Sequence, residues 1–300
     1  MAKLDHVPYG IIPAMATPCD RWGNIKEQPL RQLVNHLIDG GVHGLFVLGS
    51  QGEFFALTPE QKKRALEIVM DETNGRVPVY AGTGALTTRE VIELNKMAQD
   101  MGVAGVSILT PFFTNLSQAE LINHFTEIAK ATPDLPILLY TNPGRTKVSM
   151  TVETVVELAK VDNIVGIKDS SGDLTLAGEY IRCTQGMGFS VLMGRDTLIY
   201  AGLCYGATGS ITATANVCPA LVVEIYEAWK AGDHARALAA QYRLAPLRIA
   251  FEWGTFPVVI KEALKMIGID AGEAVAPVGP MSEEARARLR QVLVDMGALK

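Results

Sequence analysis

The chain has 300 residues, 48% hydrophobic and 20% charged, enough for one large core and near the upper limit for a single one. Its formal charge of -5 and its lack of basic blocks argue against nucleic acid as a partner. No run of about 18 apolar residues occurs, so no membrane span is expected, and the opening MAKLDHVPYG lacks the apolar stretch of a signal peptide.

Short apolar runs alternate with helical patterns along most of the chain. The expected strands are IIPAMAT (11–17), GLFVLGS (44–50), VPVYAGT (77–83), GVSILT (105–110), ILLYTN (137–142), IVGIKDS (164–170), FSVLMG (189–194) and GSITA (209–213). They are rich in Val, Ile and Leu and unbroken by polar alternation, as in parallel strands covered on both faces. Between them, helix starts are marked by capping boxes at Thr58–Gln61, Thr87–Glu90 and Ser117–Glu120, the first with Pro59 at the opening helical position.

A Gly-x-x-Gly followed by a strand recurs in GGVHGLFVLG, MGVAGVSILT and CYGATGSITA. The first glycine suits a left-handed helix end and the second a strand opening. Eight such strand–helix units ending near residue 220 predict an α/β fold, a (β/α)8 TIM barrel. A doubly wound sheet is the alternative, with fewer strands and a glycine-rich first turn that ATPCDRWGN does not supply. After residue 220 four helical patterns follow without a strand. The expected division is a barrel over 1–231 and a C-terminal helical appendage over 232–300, packed on it.

Barrel active sites lie at the C-terminal ends of the strands. Lys168 ends the sixth strand, where burial disfavours a charged amine. A neutral lysine amine attacks carbonyl carbon and forms a Schiff base, an electron sink for an adjacent carbon–carbon bond. The other reading is a lysine paired with Asp169 or another barrel carboxylate. Tyr140 ends the fifth strand, where a phenol can carry protons for such chemistry; a core tyrosine bonded at its tip is the plainer reading. GSQGEF offers the Ser50 and Gln51 amides in a turn that suits a carboxylate, or is simply a tight turn. Arg145 suits a second carboxylate or a substrate hydroxyl, or is a solvated surface residue.

The five histidines are scattered, so a metal-dependent aldolase is disfavoured, and neither a GxSxG elbow nor a P-loop occurs. Cys19, Cys183, Cys204 and Cys218 lack CxxC spacing and read as reduced thiols of a cytoplasmic protein.

GSQGE, YTNPGRT and GIKDSSGD, in this order, resemble the dihydrodipicolinate synthase / N-acetylneuraminate lyase family over essentially the whole chain. The resemblance implies a barrel enzyme, a class I aldolase or dehydratase of pyruvate and related 2-keto acids. It implies no cofactor, no metal, and a homotetramer built as a dimer of dimers. It makes Lys168 the imine-forming lysine, Tyr140 the catalytic tyrosine, and Ser50 the hydroxyl that orients it. Gln51 takes the place, usually threonine, whose amide holds the keto-acid carboxylate. Arg145 matches the arginine that meets the aldehyde substrate's carboxylate, and Gly194 and Ile211 match positions lining the pocket.

Two residues depart from the pattern. Phe113 stands where the synthases carry a tyrosine that reaches a neighbouring subunit's site, and Gln51 replaces threonine. Both favour a sugar-derived 2-keto acid as substrate, whereas Arg145 favours the synthase reaction. The expected function is therefore a cofactor-free lyase of pyruvate or a 2-keto-3-deoxy acid acting with an aldehyde. The alternatives are the lysine-pathway synthase itself, a dehydratase, and a silent keto-acid sensor.

Overall fold

The computed structural model describes residues 7–299. The opening residues read for a signal peptide, with His6, lie outside the described residues up to position 6, as does the final position of the expected 232–300 region.

All eight expected strands form, each ending earlier than expected, and the first begins one residue before its expected start. They are β1 (Gly10–Pro13), β2 (Leu45–Val47), β3 (Val79–Gly82), β4 (Gly105–Leu109), β5 (Ile137–Thr141), β6 (Ile164–Asp169), β7 (Ser190–Met193) and β8 (Gly209–Thr212). Every strand residue is buried, which is why these segments show no polar alternation. The sheet order is β1-β8-β7-β6-β5-β4-β3-β2. A parallel bridge from Ala14 to Phe46 joins the strands at the two ends of that order. Eight parallel strands closed in sequence order are a (β/α)8 barrel, not the doubly wound alternative.

The helices are α1 (Glu27–Asp39), α2 (Pro59–Thr73), α3 (Thr88–Asp100), α4 (Gln118–Ala131), α5 (Pro143–Thr146), α6 (Val152–Leu158), α7 (Leu174–Cys183) and α8 (Ile199–Tyr205). After β8 come α9 (Pro219–Lys230), α10 (His234–Ile249), α11 (Val258–Met266) and α12 (Glu283–Asp295), the four expected from the sequence. Helix α1 shows how the pattern works: Leu30, Leu33, Val34 and Leu37 recur on one face and are all buried. Each such burial contributes roughly 1.5–3 kcal/mol. Thr58 and Ser117 make complete capping boxes at α2 and α4, whereas at α3 Thr87 accepts the Glu90 amide. None of these twelve helices is long and apolar enough to cross a membrane.

The repeated glycine pair does two different things. Gly41, Gly102 and Gly206 have φ of +83°, +77° and +105°, the left-handed region where a side chain strains the backbone. Gly105 and Gly209 open β4 and β8, and a Cβ there meets the Pro136 carbonyl oxygen at 2.9 Å and that of Gly10 at 2.1 Å. The first glycine turns the chain and the second lets neighbouring backbones approach.

The chain forms two compact units. One holds the residues up to Gly10 and Tyr80–Ile211, and with them β4 to β7. The other holds Ile11–Val79 and the residues from Thr212 onward, including β2, α1, α2 and α9 to α12. In the second unit, α10 packs along α9, and α11 against α12.

His124 in α4 is buried and its Nδ1 lies 2.9 Å from the Thr88 hydroxyl. Burial pushes its pKa down to about 4, from the usual 6.5 of histidine. A histidine kept neutral when folded binds its proton more readily when unfolded. Its contribution to stability is therefore full above about pH 6.5 and is lost progressively as pH falls towards 4. We expect thermal melts of the His124→Gln variant to lose less stability than the wild type between those pH values. Parallel curves for the two proteins would sink this assignment.

Candidate active site

Strand register builds the centre of the first unit. Tyr140 on β5 pairs directly with Lys168 on β6, and Thr141 pairs with Asp169. Residues paired in register point to the same face, so the phenol and the amine share one face at the strand ends. The Lys168 Nζ lies 4.4 Å from the centroid of the Tyr140 ring. Both side chains are buried, each with 4% exposure, near the ends of a strand pair whose other residues are aliphatic apart from Thr141, Gly166 and Asp169. A lysine at this depth has a reason beyond solubility.

The alternative partner, Asp169, is turned elsewhere. Its carboxylate accepts the Ser171 amide at 2.9 Å and the Ser171 hydroxyl at 3.0 Å. Alternation along β6 puts it on the face opposite Lys168. Burial pushes its carboxyl up, against the two Ser171 hydrogen bonds that lower it.

The segment after β5 wraps back over Tyr140. Asn142 precedes the single turn of α5, with Pro143 at its start, and its Nδ2 donates to the Tyr140 hydroxyl oxygen at 3.1 Å. The amides of Arg145 and Thr146 donate to the Asn142 carbonyl at 2.9 and 3.0 Å. Thr146 receives the Thr110 hydroxyl at 3.1 Å, which ties the turn to the end of β4. This short, pinned turn is what places Arg145 near the phenol. Arg145 keeps solvent contact at the rim. Nearby groups still desolvate it and hold it below its usual range; Tyr140 draws it up, and the charge of Arg195 pushes it down.

Arg195 follows β7, the strand on the other side of β6. Two guanidiniums therefore flank the strand that carries Lys168. Gly172, at φ +82°, leaves room for one of them: a Cβ there meets the Arg195 Nε at 3.1 Å. Gly194 has a comparable reason to be glycine. A Cβ at 194 meets the Ser170 Oγ at 2.0 Å, and the Gly194 amide donates to the Asp169 carbonyl at 2.6 Å. Ile211 lies buried in β8.

The GSQGE segment belongs to the second unit. Its Ser50–Gly52 part is one turn of 3-10 helix directly after β2. Ser50 Oγ and both polar atoms of the Gln51 side chain are buried without a hydrogen-bond partner among the described residues. Leaving a buried polar group unmatched costs roughly 1–3 kcal/mol, so two consecutive residues carrying such groups make this turn a candidate for holding a ligand. The Gln51 side chain shares a small cleft with Phe251, Phe256, Pro257, Val259 and Ile260.

Phe113 lies in the loop after β4, 94% exposed and at φ +78°. A bulky residue in that backbone region is rare and strained.

Sequence reasoning selected Lys168, Tyr140, Arg145, Gly194 and Ile211, and the first unit contains all five. It gave no role to Asn142 or Arg195. The NPGR turn was a usable signal for the first, since an asparagine before Pro at a helix start is positioned to bond backward. No local signal marks Arg195, which is one exposed arginine among many.

The dihydrodipicolinate synthetase family model matches residues 7–296. A 4-hydroxy-tetrahydrodipicolinate synthase of Methanopyrus kandleri is 39% identical over 292 residues, covering 97% of each chain. The solved dihydrodipicolinate synthase of Thermotoga maritima superposes with a TM-score of 0.94 at 30% identity, over 98% of this chain and all of that one. A prophage protein of E. coli K12, solved in complex with pyruvate and belonging to the dihydrodipicolinic acid synthase family, gives 0.93 at 33% identity. That match spans 98% of this chain and 100% of the other.

Proposed function

The chain belongs to the dihydrodipicolinate synthetase family, and on that premise we propose that it is a class I lyase that forms or cleaves a carbon–carbon bond beside an imine of pyruvate or a 2-keto-3-deoxy acid. The observation that carries this reading is the buried Lys168 amine 4.4 Å from the ring of Tyr140.

Lys168 attacks the keto carbon, and the carbinolamine loses water to give the imine. Tyr140 moves the protons, its oxygen held by the Asn142 amide. Ser50 orients the phenol, and the Ser50–Gln51 turn anchors the keto-acid carboxylate. Their unmatched polar atoms support that role. Arg145 meets the distal end of the substrate, and Arg195 across β6 adds a second positive charge for an anionic group there. Gly194 and Ile211 line the pocket beside the lysine. The pyruvate complex of the E. coli relative supports the keto-acid half.

The synthase name of the Methanopyrus relative favours aspartate semialdehyde as the aldehyde, and the pair of arginines suits its carboxylate. Gln51 and Phe113 favour a hydroxylated, sugar-derived partner. Incubation of the enzyme with pyruvate and each of aspartate semialdehyde, glyceraldehyde and N-acetylmannosamine, read as pyruvate consumed, separates them. Consumption of pyruvate with none of the three would overturn the lyase reading.

The barrel over 1–231 carries the site in this reading, and 232–300 forms the helical region packed on it. The same proposal has the chain working in the cytoplasm as a homotetramer, a dimer of dimers. Four cysteines without a disulfide suit a reducing compartment, and the exposed, strained Phe113 suits burial against a second copy. Cell fractionation and sedimentation of the purified chain check these two statements.

A further inference from the structure

Lys261 lies in the middle of α11, and its side chain is 1% exposed. Its Nζ is 2.5 Å from a carboxylate oxygen of Glu53, also 1% exposed. The remaining two ammonium protons are matched as well: Nζ donates to the Glu273 carbonyl at 2.6 Å and to the Cys19 sulfur at 3.2 Å. Glu53 uses its other oxygen to accept the Val275 amide at 2.8 Å. Burial pushes the Cys19 thiol up, so the third partner of the lysine is a neutral one. All of these groups belong to the second unit.

A buried ion pair gains little net stability over apolar residues of the same volume, because both charges are desolvated. Its retention asks for another reason. Glu53 is the residue that ends the Ser50–Gly52 turn. Its backbone sits at φ 58° and ψ 33°, in the left-handed region, where a residue other than glycine costs roughly 1 kcal/mol or more. Its amide closes the turn on the Ser50 carbonyl at 3.1 Å. On the other side the Thr17 hydroxyl donates to the Gly52 carbonyl at 2.8 Å, and a Cβ on Gly52 meets the Met15 carbonyl oxygen at 3.0 Å. The C-terminal end of the turn, Gly52 and Glu53, is thus held between β1's extension and α11 with the segment after it. The groups left over are the unmatched Ser50 hydroxyl and Gln51 amide.

We propose that the buried Glu53–Lys261 pair is a positioning device for the Ser50–Gln51 turn. It holds Glu53 in its left-handed conformation and so sets the aim of the carboxylate-binding groups in advance of substrate. Pre-set polar groups bind without an ordering penalty at the moment of association. The pair acts chiefly on affinity for the keto acid, because the Tyr140 oxygen is held independently by Asn142. This inference rests on the reading of Ser50–Gln51 as the carboxylate anchor.

The test uses two variants. In Glu53→Gln/Lys261→Met both charges leave together, so no lone charge is stranded in the core. Glu53→Asp keeps the charge and shortens its reach by one methylene. Each protein is incubated with graded pyruvate, reduced with borohydride, and scored by mass for the adduct on Lys168. The wild type is expected to give an adduct. Both variants should reach the same extent of labelling at saturating pyruvate, with the half-saturating concentration raised roughly tenfold and KM raised without a matching fall in kcat. Thermal melts run alongside identify the folded variants. A folded variant with unchanged half-saturation and KM overturns the inference, since a purely packing role moves only the melt. Absence of any wild-type adduct overturns instead the imine reading beneath it.

Discussion

The Lys168→Ala variant is expected to lose turnover by roughly 10^4-fold or more and to give no borohydride-trapped adduct with pyruvate. No other group in the Lys168 strand pair offers an amine, and the imine is the electron sink on which every later step depends. The effect belongs to the chemistry and not to the loss of a charge. Lys168→Arg separates the two: a guanidinium stays protonated at all relevant pH and forms no imine, so this variant should be as inactive as the alanine. Steady-state rates and intact-mass measurement after reduction check both. Full activity in either variant would remove the imine mechanism.

The next largest loss is expected from Tyr140→Phe. The ring stays, so the face over the Lys168 amine, with its 4.4 Å separation, keeps its packing. The hydroxyl goes, and with it the acceptor of the Asn142 bond. General acid–base catalysis by one positioned group is worth typically about 10^2- to 10^4-fold, and kcat should fall within that range. Pyruvate should still label Lys168 at long incubation, because water can serve the slower proton transfers. An unchanged kcat would mean that the phenol is a packing residue and that the protons travel by another route. The two variants thus fail in different ways, one at the covalent bond and the other at the protons around it.

These expectations lean on residues that the sequence exposed through local pattern. A charged residue at the end of an aliphatic run stands out because burial of a charge is costly, and Lys168 stood out for that reason. Tyr140 followed from its place at the end of the adjoining run. The strand register then supplied what periodicity cannot, the pairing of position 140 with position 168 and so a common face. It also separated Lys168 from Asp169, which adjacency in sequence had left as a possible pair.

Lys261 shows the opposite case. It sits in PVVIKEALKMIG, where a lysine in a helical pattern reads as one more polar-face residue. Its burial is a consequence of Glu53 and Cys19, which come to it from far along the chain, and of the Glu273 carbonyl in the segment after α11. Arg195 is similar: it gains meaning from Arg145 across the strand between them.

By itself the sequence determined the number of strands, the helix starts, the glycine turns, and the placement of a lysine and a tyrosine at strand ends. Each of these is set by interactions within a few residues or by a single buried face, and such signals survive in a linear string. The tertiary structure alone decided that two arginines flank β6 and that a buried ion pair braces the Ser50–Gln51 turn. Those facts depend on which distant groups share a desolvated space. A side chain's partners there are fixed by closure of the chain, and its neighbours in sequence carry no record of them.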